Sequence, residues 1–367
     1  ISACLVGSEM CIRDRTYRLS FPNFNDLLMP PFWKHKGNGR SVIINVPFTY
    51  PAARLNGVLI AGFVALDLRR AVYPASLLPM LNKMGYRIDV DSNKAHQSLD
   101  LFLKDLDRTL QARIKAYRYL WEKEDWRTFM FVFTGADRLA HFLWHAYEDK
   151  QHKYHSAFLN YLHQIDEVIG EVSQKMDETD SLLMLSDHGF ERLEYDVQIN
   201  FFLAQEGFLR FRRTPAQSLA DIAYGTTAFA LEPARIYLNL EGKYPRGSVK
   251  PENRETVIDE LETGLMSLEM NGKKVIERIC RKEEIYHGPQ LHRAPDLVLL
   301  SSKGFNLKSG LKATNLFERV IFTGKHSQKD AFLLINKPAP DIIQEKPSVY
   351  DVVGIMNRLR MSAEVSS

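Results

Sequence analysis

The chain has 367 residues, of which 45% are hydrophobic and 25% are charged, so it is long enough to bury one large core or two domains. Its net charge of +3 gives no indication of a nucleic-acid partner, because acidic residues balance the lysines and arginines. The longest apolar run, residues 58–66, is far shorter than the roughly 20 residues that a membrane span needs, so the sequence predicts no transmembrane helix.

The first fifteen residues differ from the rest of the chain. They show no helical or strand period and no signal-peptide layout, and the string CLVGSEMCIRDR resembles translated sequencing-adapter read-through at the ends of metagenomic reading frames. We therefore interpret 1–15 as an artefact and expect the natural N-terminus to lie upstream of Thr16. Cys280 is then the remaining cysteine, so no intrachain disulfide is predicted. The expected location is cytoplasmic, although a signal peptide would have been lost with the N-terminus.

From Thr16 onward, short apolar runs alternate with amphipathic segments. The apolar runs predict strands at 41–48, 129–133, 181–185, 296–300 and 331–335, with a strand and turn over 235–248. The amphipathic segments predict helices at 98–124, 153–176, 200–208, 252–270 and 347–361. Asn200 is the predicted N-cap of the third of these helices, and Gly207 is its predicted stop.

This alternation of strands and helices is typical of the α/β class. It predicts a three-layer α/β/α sandwich with a mostly parallel central sheet covered on both faces. One catalytic domain is expected over 16–360. Within it, the region 207–290 has fewer buried strands and more turns, which favours a cap or insertion there.

Candidate metal ligands lie near the ends of three predicted strands. Asp137 and His141 follow the strand 129–133 and are four residues apart, which puts both on one face of a helix. Asp187 and His188 directly follow the strand 181–185, and His326 lies in a predicted loop, GKHS, before the strand 331–335. Functional groups of parallel sheets collect at the carboxyl ends of strands, so this set indicates a cation site.

Each of these features alone has an ordinary structural interpretation. An Asp–His pair on a helix is commonly a surface or capping pair, and Asp-His-Gly after a strand is commonly a turn. Together, however, two carboxylate–imidazole pairs and a late histidine favour a metal site. Mixed oxygen and nitrogen ligands suit zinc, and also manganese or iron, whereas the carboxylates are too few for a calcium cage. Five ligands fit two divalent metal ions, with zinc favoured, better than one catalytic zinc.

The ordered set Asp-x-x-x-His, Asp-His-Gly and Gly-x-His resembles the alkaline phosphatase superfamily. The nearest branch is that of the type I phosphodiesterase/nucleotide pyrophosphatase-like phosphohydrolases. Further segments support this resemblance, which covers nearly all of 16–360: INVPFTYP at 44–51, FTGADRLAHFLWH at 133–145, SDHGF at 186–190 and APDLVLL at 294–300. The resemblance implies an alkaline phosphatase-like fold and hydrolysis of a small-molecule phosphate mono- or diester.

Carried over by position, the resemblance divides the candidate ligands into two sets. Asp137, His141 and His326 match the ligands of one metal, and Asp187 and His188 match ligands of the other. The family also has an early aspartate and a Thr or Ser that is both ligand and nucleophile. Neither motif is visible here, so the nucleophile is expected upstream of Thr16 and this fragment is expected to be inactive alone. The segment after His326 also departs from the family pattern, since Ala331 follows where a glycine is usual.

The implied reaction is in-line attack of the Thr or Ser hydroxyl on phosphorus, activated by two metals. A P-loop NTPase is excluded because GKHS lacks the required Ser or Thr after GK, and a Rossmann dehydrogenase is excluded because no G-x-G-x-x-G follows a strand. A phosphomutase, phosphotransferase or sulfatase of the same superfamily stays an alternative. A non-catalytic, metal-binding degenerate member is the alternative from another class.

Overall fold

The computed structural model describes residues 11–12, 16–20, 23–35, 37, 39–337 and 346–366. Most of the string 1–15 lies outside the described residues. The described chain forms two compact units: the first contains Arg192–Ile321 with the described residues of Ser8–Pro22, and the second contains Asn23–Glu191 with the described residues of Phe322–Ser367. The segment 207–290 lies within the first unit, and its role as a cap stays a prediction.

The strands are short, and most belong to small sheets. In chain order they are β1 Cys11–Ile12, β2 Leu19–Ser20, β3 Ser41–Val46, β4 Gly57–Ala61, β5 Val72–Tyr73, β6 Thr128–Phe131, β7 Leu183–Leu185, β8 Gly189–Gln198, β9 Ala228–Leu231, β10 Arg235–Leu238, β11 Glu269–Met270, β12 Lys273–Lys274, β13 Ile276–Arg281, β14 Leu297–Ser301, β15 Gly304–Lys308, β16 Phe317–Glu318, β17 Gly324–Ser327 and β18 Leu333–Ile335.

The four longest α-helices of the described residues have 15 to 25 residues and belong to the second unit. In chain order the α-helices are α1 Leu68–Ala71, α2 Leu78–Lys83, α3 Asn93–Gln97, α4 Leu99–Lys123, α5 Thr134–Glu148, α6 His155–Lys175, α7 Ile199–Gln205, α8 Arg254–Met266, α9 Lys282–Ile285 and α10 Val352–Ser366. Short 3-10 helices occur at Phe24–Asp26, Phe32–Lys34, Ala75–Leu77, Leu219–Asp221, Pro251–Asn253, Leu291–Arg293 and Val349–Asp351. Within the described ranges, every helix is too short or too polar to cross a bilayer.

A four-stranded sheet in the order β5-β4-β3-β6 organises the second unit. Its strands β4, β3 and β6 are parallel, with Val42 of β3 opposite Val58 of β4 and Phe129 of β6. The short β5 pairs antiparallel with β4, and β7 and β18 form a separate antiparallel pair. Parallel strands joined through helices are typical of α/β proteins, so the predicted α/β class is confirmed.

Strand β3 is mostly apolar, as expected for a strand that is buried on both faces. Val42 and Ile44 pack in one cluster with Leu120 of α4, whereas Ile43 packs on the opposite face with Trp33 of a 3-10 helix. A further cluster joins α4, α5 and α6, and aromatic residues of β6 pack against it. These contacts fix the position of α5, which begins shortly after β6 ends.

The first unit has a different, mainly antiparallel organisation. One of its sheets has the order β13-β14-β10-β9, with antiparallel pairing throughout. The buried face of α8, through Leu261 and Leu265, belongs to the same core as Phe229 of β9 and Leu297 of β14. Strand β8 contains the boundary between the units, and its later residues pair with β15 in parallel and with β16 antiparallel.

Most predicted elements agree with the structure to within a few residues, but the predicted N-cap at Asn200 is wrong. Helix α7 begins at Ile199, so Asn200 is not its N-cap. Instead Asn200 is buried and its Nδ2 donates to the carbonyls of Ala230 and Ser309, at 3.0 and 2.7 Å. The structure also contains a strand that the sequence pattern did not predict, since the first residues of the apolar run 58–66 form most of β4, Gly57–Ala61.

Candidate metal centre

The start of α5 is fixed by hydrogen bonds from two neighbouring elements. Asn45, at the end of β3, donates through Nδ2 to the carbonyl of Val132 and to Oγ1 of Thr134, both at 3.2 Å. The fully buried Arg113 of α4 donates through Nη1 to the same Thr134 Oγ1 at 2.8 Å. The first turns of α5, which carry the candidate ligands, are therefore held against the end of the sheet.

Three candidate ligand atoms converge between α5 and β17. Oδ1 of Asp137 lies 2.8 Å from Nε2 of His326 and 3.5 Å from Nε2 of His141. The two Nε2 atoms are 3.0 Å apart. All three side chains are half-buried, and together they form a group able to hold a metal ion. The predicted helical placement of Asp137 and His141 is confirmed, whereas His326 lies in the strand β17 and not in the predicted loop.

The spacing of these atoms fits a small divalent cation. Ligand atoms bound to tetrahedral zinc at about 2.0–2.1 Å would lie roughly 3.3 Å from one another. The hydrogen bond on the other ring nitrogen of His141 also fits a metal site, because Nδ1 donates to the carbonyl of Gly324 at 3.0 Å. That bond places the proton on Nδ1 and leaves the Nε2 lone pair directed at the shared space, as in metal-ligating histidines.

The second predicted pair lies in the turn between β7 and β8. Nε2 of His188 is 3.5 Å from Oδ1 of Asp187 and 3.8 Å from Oδ1 of Asp137. Nδ1 of His188 donates to the carbonyl of Gly189 at 3.0 Å, so its Nε2 is also left as an acceptor. The imidazoles of His188 and His326 are stacked with ring centroids 3.7 Å apart. Asp137, His141, His188 and His326 therefore lie next to one another. Asp187 lies beside His188, and its side chain is 65% exposed.

Burial and neighbouring charges set the protonation states that a metal site requires. Burial lowers the pKa of His141 to about 4, so its imidazole is neutral at pH 7. Burial and the adjacent His326 likewise lower the pKa of His188. Burial tends to raise the pKa of Asp137, but the hydrogen bond with His326 and the charges of His141 and Arg138 hold it well below its usual range. At pH 7 the site therefore presents the neutral imidazoles of His141 and His188 and the ionised carboxylate of Asp137.

An aromatic side chain contacts all three histidines. The ring centroid of Phe190 lies 5.0 Å from that of His141, 5.7 Å from His188 and 5.2 Å from His326. Trp144 stacks against Phe190, with ring centroids 5.6 Å apart. Such an apolar neighbour limits water access and rotation of the imidazoles.

The sequence analysis missed the residues that support the predicted ligands. Arg138 directly follows Asp137, and its Nη1 donates to Oδ2 of that carboxylate at 3.4 Å. Phe190 ends the SDHGF segment, and Gly324 begins GKHS. Each of these residues lies within two positions of a predicted ligand in the sequence, so this proximity was the available signal. Only the fold shows which atoms they contact.

Comparison with known proteins gives one family and one fold. A sequence model of the family described as type I phosphodiesterase / nucleotide pyrophosphatase matches residues 16–328. No curated protein matches the chain significantly. Among solved structures, phosphonoacetate hydrolase from Sinorhizobium meliloti 1021 is similar in its complexes with phosphonoformate and with phosphonoacetate, at 12% identity and TM-scores of 0.50 and 0.51. These alignments cover 94% and 98% of this chain and 77% and 80% of the other.

A murine protein, ectonucleotide pyrophosphatase / phosphodiesterase 5, is 15% identical with a TM-score of 0.33, covering 61% of this chain and 50% of its own. That likeness is too low to support an argument. The similarity to phosphonoacetate hydrolase shows a shared alkaline phosphatase-like fold. Because the family match extends over most of the sequence, the chain belongs to the type I phosphodiesterase / nucleotide pyrophosphatase family.

Proposed function

We propose that the protein is a metal-dependent phosphohydrolase that cleaves small-molecule phosphate esters at a site for two divalent ions. Asp137, His141 and His326 would hold one ion, and Asp187 and His188 would contribute to the other. The observation that carries the proposal is the convergence of Asp137 Oδ1 with the Nε2 atoms of His141 and His326, at separations of 2.8–3.5 Å. Family membership supports the reaction class.

The donor set favours zinc over magnesium or calcium, because three of the five ligands are imidazoles. Bound divalent ions would stabilise negative charge on the phosphoryl oxygens and make an attacking hydroxyl more acidic. The protein's own contribution is to present His141 and His188 as neutral imidazoles and Asp137 as a carboxylate before an ion binds. His141 and His188 are held in the Nδ1-protonated form by the carbonyls of Gly324 and Gly189, so neither needs to reorient when an ion binds.

Metal stoichiometry tests the two-ion assignment directly. Elemental analysis of the zinc-loaded protein is expected to give about two ions per chain. Asp137→Asn should remove the first ion, and Asp187→Ala should weaken the second. Glu167→Ala is the matched control for Asp187→Ala, because its side chain is 66% exposed and pairs with His163 instead of a candidate ligand.

Turnover tests the reaction class. In the full gene product, Asp187→Ala is expected to abolish hydrolysis of bis(p-nitrophenyl) phosphate and p-nitrophenyl phosphate while leaving the melting temperature unchanged. The fold should tolerate this substitution because the Asp187 side chain is 65% exposed. An active Asp187→Ala enzyme, or activity that survives complete removal of metal by a chelator, would show that the assignment is wrong.

A further inference from the structure

Arg138 is held on three sides beside the candidate metal centre. Its Nη2 and Nε donate to Oδ2 of Asp89 at 2.9 and 3.2 Å, and its Nη1 donates to Oδ2 of Asp137 at 3.4 Å. Its Cζ lies 4.2 Å from the ring centroid of Phe63. Only 13% of the Arg138 side chain and 17% of the Asp89 side chain are exposed. A guanidinium fixed in this way has little freedom to serve as a surface charge.

The two oxygens of Asp137 have different partners. Oδ1 lies against the candidate ligand histidines, whereas Oδ2 accepts from Arg138. This arrangement presents Oδ1 to a cation, while Oδ2 is held in place by the hydrogen bond from Arg138. Carboxylate ligands of metal sites are commonly held by such outer hydrogen bonds, whose loss reduces metal affinity by about 10- to 100-fold.

Asp89 is itself anchored, although it is 49 residues away from Arg138 in the sequence. Its Oδ1 accepts from the backbone N–H of Val90 at 2.9 Å. The preceding carbonyl of Ile88 accepts from Nη2 of Arg113, the same residue that donates to Thr134 at the start of α5. The segment that carries Asp89 is therefore tied to the helix that carries Asp137.

From these contacts we infer that Asp89 and Arg138 are positioning residues for the metal centre, with Asp89 acting through Arg138. Asp89 fixes the guanidinium and balances its charge, so that Arg138 orients Asp137 without repelling a cation. The inference rests on the proposed function, because it concerns the affinity of that same site for a divalent ion.

The test is a double-mutant cycle on zinc affinity, measured by competition with a chromophoric chelator. Arg138→Gln is expected to weaken zinc binding by about 10- to 100-fold, and Asp89→Asn by a smaller factor, because Asn keeps the acceptor but loses the charge. The double variant should bind zinc no more weakly than Arg138→Gln alone, because Asp89 acts through Arg138. Arg118→Gln is the matched control, since it breaks an exposed pair with Glu171.

Two further measurements separate positioning from general stability. The absorption spectrum of the cobalt-substituted protein should change in Asp89→Asn, because it reports ligand geometry, while unfolding of the metal-free protein is followed in parallel. Should Arg138→Gln fail to fold, Arg138→Lys keeps a cation near Phe63 but lacks the planar fork, and should also weaken zinc binding. Wild-type affinity in the Arg138 variant, or losses in the two single variants that multiply in the double variant, would overturn the inference. Absence of zinc binding by the unaltered protein would overturn the proposed function as well.

Discussion

Nδ1 of His141 donates a hydrogen bond to the carbonyl oxygen of Gly324, across 3.0 Å. Two residues later the same strand, β17, carries His326, whose Nε2 is 3.0 Å from Nε2 of His141. One short strand thus orients one candidate ligand through its backbone and supplies another through a side chain. A small change in the path of β17 should therefore disturb two ligands together.

The close approach of β17 to α5 requires glycine at position 324. A Cβ there would lie 2.4 Å from the carbonyl oxygen of Ala140 and 2.8 Å from Cβ of Trp144. We expect Gly324→Ala to lower the free energy of unfolding by about 1–3 kcal/mol, because the backbone must shift to relieve the overlap. The shift should also lengthen the His141–Gly324 hydrogen bond and weaken zinc binding by about tenfold. Urea unfolding and chelator competition measure the two effects.

Gly170→Ala is the matched control for this substitution. It lies within helix α6, where an added Cβ meets nothing within 4 Å. Alanine there should stabilise the helix by about 0.5–1 kcal/mol and leave zinc affinity unchanged. Equal effects of the two substitutions would contradict the role given to the close approach at Gly324.

Four of the five candidate ligands could be identified in the sequence because they follow recognisable local patterns. Asp137 and His141 show helical spacing, and Asp187–His188 follows an apolar strand. Hydrophobic periodicity reports such local features well. The family resemblance then related these segments to one another and to His326, which none of the single patterns could do.

The supporting contacts could not be predicted because they join residues far apart in the sequence. Asp89 and Arg138 are 49 positions apart, and His141 and Gly324 are 183 positions apart. No periodicity links such pairs, and only the packing of α5 against β17 and the 88–90 segment brings them together. The incorrect N-cap at Asn200 has the same cause, since its side chain bonds to distant carbonyls instead of its own helix.

Phe190 is expected to stabilise the imidazole cluster, because its ring contacts those of three histidines at centroid distances of 5.0–5.7 Å. Phe190→Ala should lower the free energy of unfolding by about 2 kcal/mol, less than for a fully buried phenylalanine. It should also weaken zinc binding, because the histidines gain rotational freedom. Phe332→Ala, at a site where the side chain is 51% exposed, should change neither quantity appreciably. Unchanged zinc affinity in Phe190→Ala would contradict the role given to Phe190 in holding the imidazoles of the candidate metal centre.

Acidification should destabilise the metal-free protein through His141. Its pKa is lowered to about 4 by burial, whereas an unfolded histidine titrates near pH 6.5. Between these values the unfolded chain binds a proton that the folded protein does not, so stability falls as the pH decreases from about 6.5 to about 4. The full loss is on the order of 3 kcal/mol. The lowered pKa of Asp137 adds a loss in the same direction, but at lower pH.

Urea unfolding in the presence of a chelator, at pH 7.5 and pH 5, measures the part of this loss that develops above pH 5. His141→Asn should show a smaller decrease in stability between the two pH values, because asparagine keeps a donor for the Gly324 carbonyl but does not titrate. His163→Asn is the control, since that histidine lies on the surface of α6 with a side chain that is 66% exposed. It should keep the wild-type decrease. If His141→Asn lost as much stability on acidification as the wild type, the burial of a neutral His141 would not be the source of the acid sensitivity, and the protonation state assigned to this ligand would be wrong.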